Sequence, residues 1–186
     1  MRYILITVFI LGLIYVLTPG SNSIDQFAPI PNSLKSDEPG DTVQAPNIAA
    51  YFSDFDRRSI TNFYRNEYRK QFWFGKFIPP ITLNHPPRAA YTYVRDLQMS
   101  TFLEEYVYPL HGSLFVNGYE PTVEAHILNL KPSAGDIIHI KGQYFKSKAT
   151  IRFYPNEWSI SLIIYVGIWI AAISLFRLFR EAQVKE

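Results

Sequence analysis

The 186-residue chain contains no cysteine. Disulfides, thiolate metal sites and every cysteine-based catalytic mechanism are therefore excluded, although an oxidising compartment is tolerated. None of the nine asparagines begins an Asn-x-Ser/Thr acceptor, which leans toward a prokaryotic envelope. Charge is also sparse. Only 18% of residues are charged, and the net value of +2 is too mild to indicate a nucleic-acid partner. HExxH, GxSxG, Gly-rich phosphate-loop and EF-hand patterns are all absent. No catalytic set, metal site or cofactor is expected, and no internal repeat is visible.

In two places the lack of charge is complete. Residues Trp158 to Phe176 form a nineteen-residue uncharged run that stops at Arg177 and Arg180. As a helix it reaches about 28 Å, close to the thickness of a bilayer's hydrocarbon core. The second run, Tyr3 to Leu17, follows Arg2 and ends at Thr18-Pro19-Gly20. At about 22 Å it is short for a span and long for a signal peptide. No Ala-x-Ala cleavage site follows, so an uncleaved anchor and a cleaved signal both stand for residues 1–18.

Basic residues set the expected orientation. Arg2 precedes the first run, and the next cation after that run is Lys35. The N-terminus is expected to stay in the cytoplasm, the middle of the chain to be exported, and residues 177–186 to form a short basic cytoplasmic tail. Lys146, Lys148 and Arg152 on the outer side oppose this assignment, but a folded domain is translocated despite such charges. Tyr154 and Trp158 are expected at the outer headgroup level, and Arg177 and Arg180 at the inner one. Gly167, Ala171 and Ser174 give the span a small-residue face for helix packing, with an ordinary lipid-facing anchor as the alternative.

The exported part divides again. Residues 19–47 carry five prolines among Ser, Asn, Asp and Gly, and read as a flexible linker. Residues 48–157 read as one α+β domain. Ile48, Phe52 and Phe55 recur at helical spacing, as do Ile60, Tyr64, Tyr68 and Phe72, with Asp56 or Ser59 as the cap between the two sets. Pro86-Pro87 opens a second helix running from Arg88 to about Tyr106, with Ala90, Val94, Leu97 and Phe102 buried. From Ser113 the pattern turns to β: SLFV before an Asn117-Gly118 turn, an alternating strand over Thr122 to Leu130, then strands over Asp136 to Lys141 and Ala149 to Tyr154. The expected plan is α+β: two helices followed by an antiparallel sheet of about four strands, with a sandwich as the alternative form of that sheet.

Pro121 to Pro155 resembles the opening strands of an immunoglobulin-like IPT/TIG domain, through Pro132, Gly135, Gly142 and Phe145. The likeness covers 35 of the 186 residues. It implies a binding module, although the later strands of that family are replaced by the apolar run.

Among the histidines, His126 and His139 fall on adjacent predicted strands and form the best available metal or acid–base pair; surface placement of both is the alternative. His85 and His111 read as turn residues. Glu104 and Glu105 are sequence neighbours that do not share a helix face. The densest constellation is Tyr64 to Phe77, in which Tyr64, Tyr68, Trp73 and Phe74 stand beside Arg65, Arg69 and Lys70. Rings beside cations suit a protein partner or a lipid headgroup layer; otherwise the rings fill the core and the cations face water. The expected role is a membrane-anchored extracytoplasmic binding or assembly domain that docks an envelope protein. The rival readings are an enzyme acting on envelope glycan or lipid, with His126, His139, Glu104 or Asp96 converging on a cleft, and a structural subunit of a larger membrane complex.

Overall fold

The computed structural model describes residues 2–95, 99–127 and 137–184. In chain order the elements are α1 (Arg2–Leu17), β1 (Leu34–Lys35), α2 (Pro39–Thr42), β2 (Ile48–Ser53), α3 (Arg57–Lys70), β3 (Ile81–His85), α4 (Ala90–Tyr93), β4 (Phe102–Tyr108), β5 (Gly112–Tyr119), α5 (Pro121–Ile127), β6 (Ile138–Ile140), β7 (Gln143–Phe145), β8 (Ser147–Pro155) and α6 (Trp158–Val184). They group into two compact units, Met1–Pro19 with Asn156–Glu186, and Gly20–Pro155.

The second unit is an α+β domain around a six-stranded sheet in the order β1-β2-β8-β5-β4-β3, with every neighbouring pair antiparallel. The expected alternation in the last strand is present: Ala149, Ile151 and Phe153 are all buried, and they share one face because successive side chains alternate. Helix α3 covers that face with Ile60, Tyr64 and Tyr68, an i, i+4, i+8 stripe that is fully buried. Asp56 caps this helix by accepting from the Ser59 amide at 3.0 Å. Ile48, Leu103 and Phe115 line the opposite face and pack with Ala90 and Val94.

Several expectations fail for identifiable reasons. Ile48 to Ser53 is a strand, not a helix; all six residues are buried, and a spacing of four keeps Ile48 and Phe52 on one strand face as readily as on one helix face. The helix opened by Pro86-Pro87 stops at Tyr93, and Phe102 to Tyr108 is strand β4, where aromatic and β-branched residues fit a pleated surface. Asn117-Gly118 is not a turn but the interior of β5. A Cβ on Gly118 would lie 2.0 Å from the Phe102 ring, so the glycine makes room for that ring. The tight turn falls instead at Lys141-Gly142, both at positive φ, between β6 and β7.

Residues 19–47 are not a free tether. Ile24, Phe27 and Ile30 are buried, the Phe27 ring packs on Tyr68 and Phe153, and β1 pairs with β2. Prolines with pre-set φ lower the entropy lost on ordering such a segment. Thr122 to Ile127 is helical rather than extended, which removes the first strand of the IPT/TIG likeness. Leu97, Leu130, Pro132, Gly135 and Asp136 lie outside the described residues.

The first unit is a pair of apolar helices. Tyr165 donates its hydroxyl to the Phe9 carbonyl at 2.7 Å, and the Phe9 ring meets Trp169 edge-on at 5.4 Å. A Cβ on Gly12 would sit 2.3 Å from the Tyr165 hydroxyl. Gly12 therefore admits Tyr165, and the order of these contacts makes the helices antiparallel. The face bearing Gly167, Ala171 and Ser174 is not the one used: all three are exposed, and nothing approaches Gly167. Helix α6 is long and apolar enough to cross a membrane. It continues to Val184, so Arg177 and Arg180 lie within the helix and not in a tail beyond it.

Candidate functional site

The aromatic-basic segment from Tyr64 to Phe77 separates into a buried part and an exposed part. Tyr64, Tyr68, Phe72 and Phe74 are at most 3% exposed. They belong to the core, so Tyr64, Tyr68 and Phe74 cannot offer ring faces to a partner. Tyr68 donates to the Gly112 carbonyl at 2.7 Å. Phe72 and Phe74 stack at 5.0 Å and close, with Tyr108 and His111, a four-ring cluster with centroid separations of 4.9 to 5.4 Å.

Arg69 is a clamp rather than a free cation. Its Nε donates to the Gly75 carbonyl at 3.0 Å, which ties the turn Trp73–Lys76 back onto α3. The approach is so close that a Cβ on Gly75 would lie 2.1 Å from the Arg69 carbonyl oxygen. Only glycine fits there, and the turn consequently throws Trp73 outward, where it is 59% exposed. Arg65 and Lys70 are exposed on α3; Arg65 donates to Asn62 Oδ1 at 2.7 Å, and Lys70 pairs with Glu67.

Between the C-terminal half of α3 and this turn lies a groove of about 490 Å³. Its lining includes Phe63, Asn66, Arg69, Lys70, Trp73 and Lys76. The lining is mainly apolar, with a net positive rim in which Glu67 pairs with Lys70. The sequence pointed to Arg69, Lys70 and Trp73 but missed Phe63 and Asn66. Their spacing with Lys70 at i, i+3 and i+7 was the available signal for a shared face.

The other described candidate side chains are engaged with separate partners. Glu104 bonds to Arg57 at 2.9 Å and accepts from the Tyr106 hydroxyl at 2.8 Å. His139 stacks on Tyr144 at 4.6 Å in the β6–β7 hairpin. His126 and Asp96 lie outside the described side chains. Glu104 and Glu105 point to opposite faces of β4, and Glu105 pairs with His85 at 2.8 Å; His85 thus ends strand β3 and is not a turn residue. Among the described residues no group of three or more His, Asp or Glu could hold a metal ion. Tyr154 donates to the Tyr93 carbonyl at 2.7 Å, with the Arg152 guanidinium 4.7 Å from its ring centre. Trp158, the first residue of α6, is 67% exposed.

A second cluster stabilises the domain. Asp41 is fully buried and receives Arg95 at 2.9 Å, Lys148 at 2.6 Å and the Ser36 hydroxyl at 2.6 Å. Burial also governs the phenols: it pushes Tyr64 and Tyr106 well above the ordinary range and Tyr108 up to about 12. Asp56 is held below the usual carboxylate range by its bonds to Ser59.

No family model matches the chain, and neither a curated protein nor a solved structure matches it.

Proposed function

We propose that the chain is an integral membrane protein whose helix α6 crosses the cytoplasmic membrane and holds the Gly20–Pro155 domain on the outer side, where the groove beside α3 docks an envelope protein. The observation that carries this reading is the exposed Trp73 beside a mainly apolar trough whose lining holds Arg69 and the Lys70–Glu67 pair. Trp and Arg-type contacts around a pocket are the usual anchors of protein interfaces. The cationic rim fits a partner segment that brings an apolar anchor flanked by carboxylates.

The packing of α1 on α6 through Gly12 and Tyr165 supports a retained anchor over a cleaved signal. An antiparallel pair places both chain ends on one side, in agreement with Arg2, Arg177 and Arg180 all being cytoplasmic. Site-specific photocrosslinking in native membranes tests the docking. A crosslinker replacing Trp73 is expected to give one discrete adduct that disappears when Phe63 and Lys70 become Glu. Adducts identical to those from exposed Tyr144, or none, would refute the groove as the docking site.

A further inference from the structure

We infer that the sheet end carrying Phe77, Ile78 and Ile81 is seated in the lipid headgroup layer, with Lys76 against lipid phosphates. The inference rests on the reading of α6 as a membrane span. Three large apolar side chains are exposed within five residues: Phe77 at 78% and Ile78 and Ile81 at 51% each. A water-facing surface rarely carries such a cluster without a use for it. Among the described residues, the neighbouring Lys76 makes no ion pair.

Register places this cluster at one particular end of the sheet. Pro155 pairs with Gly112 and Gly112 with Tyr108. Tyr108 donates its hydroxyl to the Ile78 carbonyl at 2.7 Å, and its neighbour Val107 pairs with Ile81. Ile81 is therefore three strand spacings, about 15 Å, from Pro155. Gly20 reaches the same end, since it lies against the Phe72 ring, which packs 4.9 Å from Tyr108.

Gly20 and Pro155 are the two points where the chain leaves the domain, and each is three residues from an apolar helix that ends at Leu17 or begins at Trp158. Three residues reach at most about 11 Å. By chain length alone, Gly20 stays within about 11 Å of Leu17 and Pro155 within about 11 Å of Trp158. Rings and aliphatic groups with an adjacent ammonium are suited to the headgroup layer, where the apolar parts bury and the cation meets phosphate.

The cysteine-free chain allows a direct test. Full-length protein with a single cysteine at Phe77, Ile81, Tyr144 or Ile170 is nitroxide-labelled and placed in vesicles of phosphatidylcholine and phosphatidylglycerol. Collision rates with oxygen and with a water-soluble nickel chelate are then compared. Labels at 77 and 81 are expected to show an oxygen-to-nickel ratio several-fold above that at 144, and the label at 170 the highest ratio. Labels at 77 and 81 that match 144, with 170 in the acyl region, would overturn the headgroup seat alone. An aqueous label at 170 would overturn the span and this inference with it. Labels at 77 and 81 shielded from both reagents would mean that protein, not lipid, covers this end.

Discussion

Asp41 shows how much one side chain can hold. Its carboxylate is fully buried, and two cations and a hydroxyl converge on it from three separate stretches of the chain. Removing it strips Arg95 of its carboxylate and leaves Lys148 only the longer contact to Glu38 at 3.5 Å; breaking a buried pair costs about 3–5 kcal/mol. Asp41→Ala is expected to lose stability in that range by denaturant titration. The core tyrosines divide in the same manner. Tyr106 shares its one hydroxyl proton between the Thr61 carbonyl at 2.9 Å and Glu104 at 2.8 Å, whereas the buried Tyr64 hydroxyl has no hydrogen-bond partner among the described residues. Tyr106→Phe should cost about 1–2 kcal/mol, while Tyr64→Phe should be neutral or stabilising. The phenols also predict an alkaline limit. Their folded values are raised, so the unfolded chain releases protons first. Stability is full below the ordinary tyrosine value of about 10 and falls as pH rises toward about 12, where Tyr108 titrates in the fold. Unfolding midpoints measured alongside phenolate absorbance check this; a midpoint that stays level to pH 12 would contradict it.

Among the elements, α3 and the turn after it carry the candidate site. Asp56→Ala removes the N-cap and is expected to cost about 1 kcal/mol. Because the folded carboxyl is held low, its contribution is present above about pH 4 and is lost as pH falls through the folded value. Gly75→Ala forces a methyl into the Arg69 carbonyl and should cost about 1–3 kcal/mol while displacing Trp73; a shift in tryptophan emission reads that displacement. Helix α3 was legible in the sequence because its stripe is long, periodic and capped. Strand β2 was not, because a strand buried on both faces shows no alternation. Strand β4 was obscured for another reason: its two inward carboxylates, Glu104 and Glu105, are satisfied by Arg57 and His85 from distant parts of the chain. The expectation that those carboxylates do not share a face holds, through strand alternation instead of helical rotation. The 19–47 segment was misread because its composition reports entropy and not the few anchors, Ile24, Phe27 and Ile30, that offset it.

For the whole molecule, composition spoke most clearly through the charge-free run that becomes α6, and least clearly about the groove, which depends on one close approach at Gly75. The placement of α1 against α6 required Gly12 and Tyr165 to be seen as partners across more than a hundred residues. In the proposed topology α6 spans the membrane, with the Gly20–Pro155 domain outside and Gln183 inside. In intact cells, a membrane-impermeant thiol reagent should label a cysteine placed at Tyr144, and should label one placed at Gln183 only after permeabilisation. Labelling of both in intact cells, or of Gln183 alone, would contradict it.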